Sequence, residues 1–176
     1  MFSNDEAALM AGLHLFDSHR EAANAWLRPL IEDFELAPGE YPRALQALRA
    51  GLHAIRDGLP AAEAVDLAAP LPTLLRGIYY DGWKLGNVAM RIRDRAAMLA
   101  RVDSELGPPP HPSAHEVLRS VISLLVVHLS PAEIRRVVAT LPEPIAALWQ
   151  ELSSPAPDAI VDPARQAQVR RTGYLR

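Results

Sequence analysis

The sequence predicts an all-α protein made of two similar helical repeats packed about a pseudo-two-fold axis. Three observations carry that expectation. Apolar residues recur at helical spacing, as in Leu45, Leu48, Leu52, Ile55 and Leu59, and again in Leu118, Val121, Ile122, Leu125 and Leu129. No stretch alternates at period two with strand-like composition. The chain also lies on itself when shifted by 70 residues: segments 35–79 and 105–149 align without a gap, with 13 identities in 45 pairs. Glu35-Leu36-x-Pro38 recurs as Glu105-Leu106-x-Pro108, Leu59-x-x-Ala62-Glu63 as Leu129-x-x-Ala132-Glu133, and Leu71-Pro72 as Leu141-Pro142.

The elements follow in order from their start signals. A first helix is expected over 4–15. Ser18-x-x-Glu21 is a capping box that opens a helix over 18–35 bearing Trp26, Leu27, Leu30, Ile31 and Phe34. Pro42 opens the next, over 42–58, and a shorter helix follows over 60–69. Leu71-Pro72 reads as a tight joint, with the leucine inside the core and the proline starting a helix over 72–80. The second copy repeats the series: 88–106, then 113–128 from the box Ser113-x-x-Glu116, then 131–140 from Ser130-x-x-Glu133 with Pro131 at the first helical position, then 142–153 after Leu141-Pro142. Residues 1–153 read as one helical domain. Residues 154–176 read as a Ser-Pro-Ala-Pro linker and a loosely held basic tail.

Composition removes several function classes. The 176 residues are 49% hydrophobic, enough for a sizeable core. The net charge of −3 lacks the basic balance of a nucleic-acid binder. With no cysteine, disulfides, a thiolate nucleophile and cysteine-ligated metal centres are excluded. The acidic start lacks a signal-peptide pattern, and the most apolar run, Val121 to Leu129, includes Ser123 and His128 and falls short of the ~20 residues of a membrane span. The expectation is a soluble cytoplasmic protein with no nucleic-acid or membrane partner.

The stretch Leu45 to Asp57, with Leu-x-x-Leu-Arg, Leu-His-Ala-Ile-Arg-Asp and then Leu71-Pro72-x-Leu74-Leu75-Arg76-Gly77-Ile78-Tyr79-Tyr80-Asp81-Gly82-Trp83, resembles the bacterial family filed as domain of unknown function 2267. Ala25-Trp26-Leu27 upstream and Leu141-Pro142 to Trp149 downstream extend the resemblance over roughly 18–150. It implies an all-helical, soluble protein of two related halves and supplies no catalytic residue.

The segment Arg76 to Trp83 is the foremost candidate site. Three of the ten aromatic residues, Tyr79, Tyr80 and Trp83, fall within five positions beside Arg76, and such a group can form a stacking platform with a charged anchor. The other reading is a junction, with one tyrosine capping the first core and Trp83 packing between the repeats. The matching positions of the second copy read Ala146-Ala147-Leu148-Trp149-Gln150, so the group occurs once. Glu63 and Glu133 match across the copies and read as capping carboxylates. His111 and His115 have the spacing of metal ligands on a helix, but Pro112 and Ser113 put His111 before the helix start, so no metal site is called for. His53 reads as a half-buried or surface histidine. Arg91, Arg93, Arg95, Arg101 and Lys84 read as a solvated face. A stripe of Ile145, Leu148, Trp149 and Leu152 on the last helix would support a homodimer if left exposed. The function expected is a non-enzymatic interaction or adaptor module with a protein partner and no cofactor. The alternative is a small-ligand-binding regulatory domain using Arg76, Tyr79, Tyr80 and Trp83.

Overall fold

The computed structural model describes residues 16–84 and 92–154. Among these residues the regular structure is eight helices and no strand: α1 (Asp17–Asp33), α2 (Tyr41–Gly58), α3 (Ala61–Ala68), α4 (Thr73–Tyr80), α5 (Arg95–Leu106), α6 (Ala114–His128), α7 (Pro131–Thr140) and α8 (Glu143–Ser153). The helix expected over 4–15 and the tail from 155 lie outside the described residues.

The start signals operate unequally. At Ser113 and Ser130 both halves of the capping box form, each serine accepting from the amide of the glutamate three residues on. The Ser18 box does not form. Helix α1 begins one residue earlier, at Asp17, which puts Ser18 inside the first turn, and Phe16 stands at the cap with no side-chain bond. Of the helix expected over 88–106, residues 88–91 lie outside the described residues, and α5 starts at Arg95, where Asp94 takes an extended backbone and its carboxylate accepts from the amide of Ala97 at 2.8 Å. Glu63 differs from its counterpart Glu133. The cap position before it is Pro60, which offers neither a hydroxyl nor an N–H, and Oε2 of Glu63 is buried without a hydrogen-bond partner.

The joints between helices have nearly the same backbone angles in both parts of the chain. Leu59 sits at φ −92°, ψ 154° and Leu129 at −97°, 155°. Pro72 sits at −52°, 145° and Pro142 at −54°, 143°. At each Leu-Pro joint the leucine is buried and the chain turns at the proline, whose fixed φ suits the residue flanking a helix start.

Two helices form the centre. Eleven of the 18 residues of α2 are buried, many of them small, including Ala44, Ala47, Ala50, Gly51 and Ala54. Small residues let neighbouring helices come close, and α2 packs against α1, α4, α5 and α6. Helix α6 packs in turn against α1, α2, α5, α7 and α8. Around this pair α1 touches α4, α5 touches α8, and α3 touches α7. The two helices come close at Gly51: a Cβ placed there would lie 2.6 Å from Cγ2 of Val121 on α6. On the far side of the centre the rings of Trp26 and His128 stack with centroids 4.2 Å apart.

The apolar stripe of α8 is not available for self-association. Ile145, Leu148, Trp149 and Leu152 are all buried, because α8 turns them into the core it shares with α5, α6 and α7. The core is well filled: a cavity between Ile55, Met98, Ile122 and Trp149 has a volume of only about 10 Å³, too small for a ligand.

Candidate functional site

One face of α2 carries Arg49, His53, Arg56 and Asp57 at spacings i, i+4, i+7 and i+8, so all four side chains lie on a single stripe. Three segments meet on that stripe: the C-terminal half of α5, the end of α4, and the loop 81–83 that follows it.

His53 is 2% exposed, not a surface histidine. Its Nδ1 lies 2.8 Å from Oε1 of Glu105 and its Nε2 lies 2.7 Å from the carbonyl oxygen of Ile78. Both neighbours are acceptors, each within hydrogen-bond distance of one ring nitrogen. Arg56 is 3% exposed. Its Nε donates to Asp57 at 2.8 Å, and its Nη1 donates to the carbonyls of Tyr79 and, at 3.2 Å, Asp81. Arg101 on α5 donates to Asp57 at 3.0 Å and to Glu105 at 2.6 Å, and Arg49 bridges Glu105 and Asp81 at 2.9 Å each. The result is a continuous chain of alternating charge, Arg56, Asp57, Arg101, Glu105, Arg49 and Asp81, with His53 as a further donor to Glu105. It ties α4 and the loop after it to α2 and α5.

The aromatic group sits on this base. Tyr79 is fully buried, and its hydroxyl donates to the carbonyl of Ala64 at 2.8 Å. Burial pushes its phenol pKa up. Tyr80 and Trp83 are half-buried and stack on each other, centroids 5.5 Å apart and ring planes 24° apart. The guanidinium of Arg56 lies 5.9 Å from the centroids of both Tyr79 and Trp83, within range of a cation–π contact. Arg76 stands apart from this group: it donates to the carbonyls of Ala69 at 2.9 Å and Leu71 at 3.1 Å, closing the exposed end of α3. The structure thus brings Tyr79, Tyr80 and Trp83 together over Arg56 and directs Arg76 elsewhere.

His111, His115 and Arg95 have internal partners. His111 lies before α6 with Nδ1 at 2.8 Å from the carbonyl of Pro112, while His115 faces Glu151 at 3.3 Å. Arg95 also pairs with Glu151. No group of three His, Cys, Asp or Glu residues suited to a metal ion occurs among the described residues, and no described helix is long and apolar enough to cross a membrane. Arg91 lies outside the described residues.

The network sets a pH dependence. Burial alone would raise the carboxyl of Glu105, but the bonds and charges from His53 and Arg101 outweigh it and hold it at about 2, against an ordinary value of 4.5. A depressed carboxyl stabilises the fold above its unfolded value and loses that contribution as pH falls toward its folded one. The wild type should therefore lose roughly 2–3 kcal/mol from this group on acidification from about pH 5 to about pH 2. Denaturant unfolding of wild type and Glu105→Gln across that range should show the glutamine variant less stable at neutral pH and the gap closing in acid. A constant gap would contradict this assignment.

Residues 20–148 match the model of an uncharacterized conserved protein family, DUF2267. No curated protein matches the chain.

Proposed function

We propose that this chain, which belongs to the DUF2267 family, is a non-enzymatic interaction module whose partner-binding surface is the Tyr80–Trp83 stack at the junction of two related halves. The halves are segments 35–79 and 105–149, packed about a pseudo-two-fold axis inside one domain.

The two-fold reading is supported by residues that touch their own counterparts. Gly51 approaches Val121, and Asp66 pairs with Arg136 at 3.4 Å; each pair is separated by the 70 residues of the sequence repeat. Two copies related by a two-fold axis bring the residues nearest the axis against their own equivalents. The helix contacts agree: α2 against α5 corresponds to α6 against α1, α1 against α4 to α5 against α8, and α2 against α4 to α6 against α8.

The observation that carries the functional reading is the half-exposed aromatic stack anchored on a buried arginine in one half only. The second half has Val126 and Val127 where the first has Arg56 and Asp57. A feature shared by both halves is most simply scaffold; this one is not shared. Flat aromatic surface beside exposed charges, here Arg49 and Asp81 with side chains 45% and 58% exposed, is the composition of protein-contact hot spots. Tyr79 and Arg76 act beneath and beside this surface, Tyr79 as a core pillar and Arg76 as the clamp on α3.

Affinity capture from the native host with wild type and Trp83→Ala, both first checked for equal helicity by circular dichroism, tests the reading. The expected result is a partner retained by wild type and reduced about tenfold or more by the alanine variant, as for a hot-spot residue. Equal retention by Trp83→Ala and Tyr80→Ala would remove the aromatic stack as the site.

A further inference from the structure

The outer stripe of α6 is the counterpart of the polar stripe of α2, and the structure leaves it open. Arg119, Ser123, Val126 and Val127 occupy the same i, i+4, i+7 and i+8 positions as Arg49, His53, Arg56 and Asp57. On α2 the chain that leaves α4 turns back over the stripe: the carbonyls of Ile78, Tyr79 and Asp81, the ring of Trp83 and the amide of Ile92, which donates to the carbonyl of Asp57 at 3.2 Å, all lie against it. On α6, Ser123 is exposed, and Val126 and Val127 are 46% and 41% exposed. Helix α8 runs three residues further than α4 before its chain leaves, and Arg119, the counterpart of Arg49, reaches the backbone carbonyl of Ser154 at 3.5 Å.

We propose that residues 155–162, the stretch that follows Ser154, dock on the Val126–Val127 face of α6. The proposal rests on the two-fold reading above. The exchange of Arg-Asp for Val-Val changes what the stripe can hold, from carbonyl groups and a carboxylate to apolar side chains. The first large apolar residues after Ser154 are Ile160 and Val161. Their reach is ample: Arg119 to Val126 is seven residues of helix, about 10 Å, while six residues of extended chain from Ser154 cover up to ~20 Å.

The absence of cysteine from the sequence makes the test direct. In the full chain, Val127→Cys is labelled with a maleimide, alone and together with Ile160→Asp and Val161→Asp. Thr73→Cys, on an exposed position of α4, is labelled in the same backgrounds as a control for folding. Docking predicts labelling at position 127 about tenfold faster or more in the aspartate background, with the rate at position 73 unchanged and neither rate dependent on protein concentration. Equal rates at 127 in both backgrounds would overturn the proposal, and so would protection that grows with concentration, which would assign the face to a second copy of the chain. Either failure leaves the axis itself untouched, because the axis is tested by paired distances instead of by labelling.

Discussion

Gly51→Ala should lower stability by about 2 kcal/mol, although alanine is the better helix former. In an open helix the exchange would gain about 1 kcal/mol from propensity alone. Here the new methyl would lie 2.6 Å from Cγ2 and 3.0 Å from Cβ of Val121. Valine in a helix has essentially one χ1 rotamer, so the side chain cannot swing aside, and its Cβ cannot move without α6. The two central helices must separate, and every layer packed on them loses contact. The expected fall in Tm is roughly 4–8 °C for a chain of this size. The combination of Gly51→Ala with Val121→Ala should cost less than the sum of the two single changes by about 1 kcal/mol, since the second removes the atom the first collides with. An alanine at 51 that stabilised the protein would mean that the helices do not meet there.

The second large effect is expected at Arg56. Arg56→Met keeps most of the apolar stem and removes the guanidinium. Asp57 then loses one of its two donors, and the carbonyls of Tyr79 and Asp81 lose theirs, beneath Trp83. Breaking a buried charge pair from one side costs about 3–5 kcal/mol. Asp66→Ala makes the internal comparison, because it breaks the pair with Arg136, whose two side chains are 59% and 58% exposed. That change should cost less than about 1 kcal/mol. Urea unfolding of both variants, followed by circular dichroism, checks the contrast. Similar losses in the two variants would contradict the burial assigned to Arg56.

Much of the helix layout was legible because the joints are spelled out in single residues. The expected bounds of α2, α3, α4, α6, α7 and α8 agree with the structure within one residue. A proline or a capping serine marks each of these starts, and at α3, α4, α7 and α8 it stands beside a leucine that enters the core. Where the signal was weaker, a competing group won. Asp94 caps α5 late because an aspartate at that place satisfies an orphan amide better than continued helix does. Ser18 lost its capping role because α1 simply started upstream of it.

The candidate site was legible in part. Sequence singled out the candidate segment 76–83 but not the polar base beneath its aromatic residues. His53, Arg56, Asp57, Arg101 and Glu105 look like ordinary helix-surface residues one at a time, and they act together only because α4 and α5 converge on α2. One signal was available. Comparing the copies along α2 and α6 sets Arg56-Asp57 against Val126-Val127, a change of chemistry at matched positions as large as the one at 76–83. Arg76 illustrates the opposite error of grouping by sequence: it adjoins the aromatics in the chain, but the helix turn points it at the end of α3.

The account rests on the two halves being related by an axis through Gly51–Val121 and Asp66–Arg136. Spin-label distances in the full chain test this directly, because the sequence has no cysteine of its own. One sample carries cysteines at Val65 and Glu143, the other at Arg135 and Thr73; all four positions are exposed, and each label is displaced by 70 residues from one label in the other sample. A two-fold axis requires the two distances to be equal, and the account predicts overlapping distance distributions. Distributions that do not overlap would contradict it.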